Sequence, residues 1–242
     1  MSLVLARCAS RNGLPPMEAV LVTSVNDHID LWQIRRQIYV DEMGLVSPDH
    51  PYVTSNGLRD PFDEYSANIL LRLGGVPAGS VRVTVAGDGP LEIDQYTEAS
   101  ARSPDPARTA EVTRLMVRQD LRGSHASALL LHAMWRVFRT RCRYLLAAAK
   151  PGGLGQYYKN ACTVGLTVFP ERFFYALTGA QYELILADSG APISARRAAW
   201  RLWIGALAAC SFHIPADGMA FVRTGKLPRM RLARFSSPQE IA

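Results

Sequence analysis

The residues best suited to chemistry lie between 111 and 138, where EVTRLMV leads through the basic turn RQDLRGSH into ASALLLHAMWRVFR. Val112, Leu115, Met116 and Val117 give the first run the character of a strand. Leu129, Leu130, Ala133, Met134, Val137 and Phe138 recur at spacings of three and four, which predicts an amphipathic helix in the last run. Strand, basic turn, helix is the local order of a loop that holds an anion. The first amides of a helix lack internal partners and point at whatever lies beyond its N-terminus. Arg118 and Arg122 add charge there. Taken alone, the stretch also fits an ordinary surface turn between core elements.

The elements around this loop must position it. Val-rich AVLVTSV at 19–25 predicts a first strand, and a helix over 28–43 follows, capped by Asn26 or Asp27. Residues 44–61 carry Gly44, Pro48, Pro51, Gly57 and Pro61, a density that predicts a loop. A strand at 66–73, a hairpin turn through GGVPAGS and a partner strand at 81–87 come next. Loop-like sequence then runs to 110, with a short helix expected at 93–101. The chemistry-bearing strand is expected at 111–117 and its helix at 125–139. The run YLLAAAK at 144–150 predicts a covered strand, and a glycine-rich bend with a short helix covers 151–162. Further expectations are a strand at 163–169, a helical turn at 171–178, a strand at 180–188, a long helix at 193–212 and a last strand at 219–225. One domain over 19–235 is expected, with a loosely packed extension over 1–18.

Composition narrows the classes. With 242 residues, 48% of them apolar, the chain can bury one substantial core. The net charge of +6 favours anionic partners. The basic residues are scattered among apolar elements with no nucleic-acid motif, so nucleic acid is not an expected partner. Cys8, Cys142, Cys162 and Cys210 have neither metal-ligand nor disulfide-framework spacing, which predicts no metal site and a reducing, cytoplasmic setting. The N-terminus has the wrong order for a signal peptide. LWIGALAACSF at 202–212 is too short to span a bilayer, so no integral membrane segment is expected. It reads as a buried helix or the wall of an acyl site.

With the elements in this order, AEVTRLMV followed by turn and helix resembles the central strand and cofactor loop of the GCN5-related N-acetyltransferase superfamily. It is most similar to the branch containing acyl-homoserine-lactone synthases and N-acyl amino acid synthases. The resemblance covers about 20–170. It implies an α/β fold with a central twisted mixed sheet flanked by helices, and transfer of an acyl group from a carrier-protein or coenzyme A thioester to an amine. Glu111 and Arg114 match the branch's Glu-x-x-Arg pair. Arg35 in RRQIYVDEMG matches the Arg of its early helix, and Asp63, then Asp60, match acidic residues close to the acceptor amine. Arg82 matches the Arg of a Gly-x-x-Arg motif in GSVR. Tyr158 falls where the superfamily's Phe-Tyr helix would stand, with Cys162 in place of a Gly.

What the resemblance implies can be put as chemistry. The amine must lose a proton, for which Glu111 is the base candidate, directly or through water; a salt bridge to Arg114 is its alternative role. Glu111 and Arg114 are three apart and so point to opposite faces of a regular strand, unless a bulge intervenes. Tyr158 is the acid candidate for the leaving thiolate, and ordinary core packing is its alternative. Arg35, Asp60, Asp63, Arg82 and Arg114 would bind the acceptor. A backbone amide near Met116 to Arg118 would polarise the carbonyl. The donor would sit on Val117, Arg118, Arg122, Gly123, Ser124, His125, Ala126 and Ser127. The superfamily places small residues where His125 and Ser127 stand, so that amides can approach two phosphates. A carrier-borne phosphopantetheine has one. The expected donor is therefore an acidic acyl or peptidyl carrier protein, with acyl-CoA the alternative, and the expected acceptor is a small-molecule amine. No tightly bound cofactor is expected. An ordinary coenzyme A-dependent acetyltransferase and a catalytically dead adaptor of the same fold stay open.

Overall fold

The computed structural model describes residues 2–9, 15–122, 124–151, 166–190 and 212–213. In chain order the elements are β1 (Leu3–Cys8), β2 (Met17–Leu21), α1 (Val25–Arg36), β3 (Val53–Thr54), β4 (Gly57–Leu58), β5 (Ala67–Leu73), β6 (Val76–Val85), β7 (Thr109–Val117), α2 (Ala126–Arg139), β8 (Tyr144–Ala149), β9 (Leu166–Tyr175), β10 (Ala180–Asp188) and β11 (Phe212–His213). Nine of these strands form one sheet in the order β11-β1-β2-β5-β6-β7-β8-β10-β9. Every pairing is antiparallel except β7 with β8, which are joined through α2.

The alternation of side chains assigns the two faces. Ala19, Leu21, Ile69, Leu71, Val81 and Val83 pack with Leu129, Leu130, Ala133, Met134, Val137 and Phe138 of α2. Val20, Val22, Leu70 and Met116 pack on the opposite face with Leu31, Ile34 and Ile38. Strands covered on both faces read as unbroken apolar runs, which is why β5 and β6 are so strongly hydrophobic.

Two irregularities shape the middle of the sheet. The β6–β7 register runs from Gly79↔Val117 and Ser80↔Met116 to Arg82↔Thr113, so β7 holds one extra residue at a bulge. Arg114 takes the left-handed conformation there, at φ 54°. On its other side β7 pairs with β8 only from Thr109↔Tyr144 to Val112↔Ala147, although β7 runs on to Val117. The two parallel strands therefore part beside the bulge. Gly79 is required at this point, because a Cβ there would lie 2.4 Å from the carbonyl oxygen of Met116.

Several expectations are corrected. Leu3–Cys8, expected in a loose extension, is β1 and pairs with β2. The cap of α1 is Ser24 rather than Asn26 or Asp27. Its Oγ accepts from the Asp27 amide at 3.1 Å, and the Asp27 carboxylate accepts from the Ser24 amide at 3.3 Å, which is a capping box. The helix expected over 28–43 ends as a wider π turn over Gln37–Glu42. Instead of one helix at 93–101 there are two short turns of 3₁₀ type, Glu92–Gln95 and Ser100–Arg102. β9 continues through Pro170 to Tyr175, and the helical turn expected over 171–178 is confined to Ala176–Thr178. An edge strand tolerates a proline because its outward amide needs no ladder partner. Phe212, the expected end of a long helix, forms with His213 a short strand beside β1. The rest of that helix, the strand at 219–225 and most of the 151–162 segment lie outside the described residues. No helix among the described residues is long and apolar enough to cross a membrane, and none of their His, Cys, Asp and Glu side chains form a group that could hold a metal ion.

Candidate functional site

Six residues expected from the sequence converge on the α1 face of the sheet, where β5, β6 and β7 lie side by side. Asn68, Arg82 and Thr113 stand in one row across these strands, with Thr84 and Glu111 in the next. The bulge adds Arg114 to the same face. Spacing by three puts Glu111 and Arg114 on opposite sides of a regular strand; the extra residue at Arg114 removes the conflict. Arg35, in the last turn of α1, comes down onto this row with none of its surface exposed. Asp60 and Asp63 arrive on the turn Pro61–Tyr65. Asp60 caps that turn by accepting from the Phe62 amide at 2.9 Å, and Asp63 accepts from the Asp60 amide at 3.3 Å.

The result is a buried lattice of charge-assisted hydrogen bonds. Arg35 donates to both Asp63 oxygens at 2.7 and 2.8 Å and to the Asn68 side-chain oxygen at 2.8 Å. Asp63 also accepts from the Trp32 indole at 3.3 Å. Arg82 lies 2.8 Å from Asp60 as an ion pair, donates through Nε to Thr113 Oγ1 at 3.0 Å, and donates to Glu92. Its guanidinium sits 5.3 Å from the centre of the Phe62 ring. Arg114 donates to Asp60, to Glu92 Oε1 at 2.8 Å and to the Tyr175 hydroxyl, and that hydroxyl donates to Glu92. Glu111 accepts from two backbone amides, of Glu92 at 2.7 Å and of Ile93 at 3.0 Å.

Formal charge explains how this lattice titrates. Arg35, Arg82 and Arg114 balance Asp60, Asp63 and Glu92, which leaves Glu111 as the charge in excess. Burial, and then the neighbouring Glu92 carboxylate, push its carboxyl up to about 7; Arg82, the amide bond and Arg114 pull less strongly the other way. Burial would also raise Asp60, but Arg114 and Arg82 outweigh it and hold that carboxyl below the usual range. Burial raises the Tyr175 hydroxyl well above the ordinary tyrosine value.

Glu92, Asn68, Thr113, Trp32 and Tyr175 belong to this lattice and escaped sequence reasoning. Asn68 and Thr113 were readable as polar breaks in covered strands. Glu92 lies in sequence with no periodicity, and Tyr175 follows Pro170, which reads as a strand end.

The loop expected to hold the donor forms separately, at the end of β7. Val117 is buried in the core with α2, so only its backbone faces the loop. Arg118 is held by Asp120 at 2.8 and 3.0 Å. Glu42, at the end of the π turn, accepts from the Gln119 amide at 3.0 Å and lies 3.4 Å from Arg122. Ser124 Oγ accepts from the Ala126 amide at 3.2 Å, and α2 begins at Ala126 with His125 and Ser127 half-buried on either side. Gly123 and Tyr158 lie outside the described residues.

No family model and no curated protein matches the chain. Solved structures do. An N-acyl amino acid synthase from uncultured soil microbes is 18% identical, with a TM-score of 0.55 over 72% of this chain and 92% of that one. A coenzyme A-dependent acyl-homoserine lactone synthase is also 18% identical, with a TM-score of 0.55 over 76% of this chain and 93% of that one. Another such synthase, solved with SAM and isopentyl-CoA, is 15% identical, with a TM-score of 0.56 over 92% and 99%. At these identities the likeness is one of fold: the chain has a GCN5-related N-acetyltransferase-like fold, a twisted mixed sheet flanked by helices.

Proposed function

We propose that this chain is an N-acyltransferase that moves an acyl group from a carrier-protein phosphopantetheine thioester to the amine of a small molecule. One observation carries the reading. Glu111 lies buried on the bulged central strand, one residue before its pairing with β8 ends at Val112, and that burial pushes its carboxyl up to about 7. Attack of an amine on a thioester forms a C–N bond, breaks a C–S bond, and releases one proton from nitrogen while sulfur gains one. A carboxylate poised near 7 suits the first proton transfer. Glu111 takes that proton directly or through water, and Tyr158 supplies one to the thiolate. Beyond Val112 the strand has no β8 partner, and a backbone amide near Met116 to Arg118 polarises the carbonyl; the Arg118 amide itself donates to the Ala78 carbonyl at 3.0 Å, which leaves that of Val117 as the better placed. Arg35, Asp60, Asp63, Arg82 and Arg114 hold the acceptor side. Arg118, Arg122 and the amides ahead of α2 hold the phosphate.

A second donor, acyl-CoA, is favoured by the two similar structures described as coenzyme A-dependent synthases. Against it stand the side chains of His125 and Ser127, and the carboxylate of Glu42 on the same loop. The test is a direct competition, with the same acyl group on coenzyme A and on acyl and peptidyl carrier proteins, reading free thiol and acylated amine. Preferential transfer from a carrier is expected. Equal or better transfer from coenzyme A assigns the second donor, and no thiol release from any thioester in the presence of amines ends the acyltransferase reading.

A further inference from the structure

Glu92 belongs to no motif, yet it is the carboxylate of the lattice whose own main chain reaches Glu111. It is 1% exposed, in the short turn Glu92–Gln95 between β6 and β7. Its carboxylate accepts from Arg114 and from the Tyr175 hydroxyl on one oxygen and from Arg82 on the other. Its backbone amide, with that of Ile93, is donated to the two oxygens of Glu111. One residue therefore fixes three side chains by its own carboxylate and the base candidate by its main chain.

We propose that Glu92 is the positioning residue of this site: its carboxylate completes the charge balance of the three guanidinium groups and so makes Glu111 the group that takes up and releases the proton. The surroundings of Glu111 bear this out. Arg82 from β6 and Arg114 from β7 are both committed to Glu92 and Asp60. Asp60 and the Tyr65 phenol come from the turn beneath, and Tyr175 arrives from β9 already bonded to Glu92. Arg35 is one step removed, on Asp63. β8 offers Leu146 opposite Glu111, which brings no charge. Both guanidinium groups nearest Glu111 are shared with the Glu92 carboxylate. If Glu92 is made neutral, one guanidinium is released, and Glu111 becomes the third carboxylate of a balanced set.

The inference rests on the acyl-transfer reading only for the meaning of the proton, and its test does not need turnover. Carboxyl carbons of ¹³C-labelled glutamate are titrated by NMR in the wild-type protein and in Glu92→Gln, with Glu111 assigned from its loss in Glu111→Gln. The Glu111 midpoint is expected to fall by about one pH unit or more in Glu92→Gln, the size of effect a neighbouring like charge has. A tether without an electrostatic role would lower the melting temperature and leave the midpoint in place, which overturns the proposal. If Glu92→Gln fails to fold, Arg82→Gln tests the same balance with the opposite sign: a midpoint moved upward supports it, and one unmoved or lowered overturns it. If the wild-type protein transfers no acyl group while these midpoints move as stated, the acyl-transfer reading fails and the role of Glu92 stands.

Discussion

A carboxyl buried so that it titrates near 7 has a cost that depends on pH, and Glu111 makes that cost measurable. Its folded value of about 7 lies above the ordinary 4.5, so between these values the folded chain holds the extra proton. Stability attributable to Glu111 is full below 4.5, declines as pH rises through the window, and is flat above 7, a loss of roughly 3 kcal/mol in all. Glu111→Gln imitates the protonated acid and should remove that slope, read as the urea midpoint at pH 5 against pH 8. In the same variant turnover should fall by about 10²–10⁴-fold, the usual contribution of a general base. Undiminished turnover across pH would take Glu111 out of the mechanism. At this scale the sequence was informative where residue type and motif order agreed: Arg35, Asp60, Asp63, Arg82, Glu111 and Arg114 meet in one lattice. It was uninformative about Glu92, because a carboxylate in a loop looks the same whether solvated or buried beneath two arginines.

At the scale of elements, the two irregularities matter more than the regular strands and helices. The bulge in β7 turns Arg114 toward Glu111's face, and the π turn at the end of α1 carries Glu42 onto the donor loop. Regular elements with a strong period, such as β10 at 180–188 and α2, are legible because burial on one or both faces dictates the apolar pattern. The bulge is not, since it depends on pairing with β6 that a single strand's sequence does not record. β9 was misread for the same kind of reason, as Pro170 breaks a central strand but not an edge. Glu42 supplies the prediction at this level. Its carboxylate accepts from the Gln119 amide and faces Arg122, one of the groups assigned to the donor phosphate, at 3.4 Å. An incoming phosphate must displace it or share the site with a like charge. Glu42→Gln should therefore lower the donor KM by about 2- to 5-fold, the scale of one partly exposed charge interaction, with the largest gain for coenzyme A thioesters. A donor KM unchanged for every thioester would show that phosphate binds elsewhere.

Across the whole molecule, net charge is the property that would separate the two proposed donors. The chain carries a net +6, and the stretch from 196 to 234, of which only Phe212 and His213 are described, is rich in arginine with Asp217 as its single acid. Such a charge accelerates encounter with an acidic protein surface and contributes less to the affinity of the docked complex. The effect acts over distances comparable to the screening length, about 10 Å at 0.1 M salt. A carrier-protein donor and a bare pantetheine thioester share the reacting group and differ in that outer surface. Raising salt from 0.05 to 0.5 M (roughly 14 to 4 Å of screening length) should depress kcat/KM for the carrier-borne donor while leaving that of the pantetheine thioester nearly level. Reversing charge at Arg229 and Arg231 to Glu should reproduce the loss at low salt, again only for the carrier. If the two donors respond alike to salt and to charge reversal, the basic stretch does not recruit the carrier, and recognition rests on the loop ahead of α2 alone.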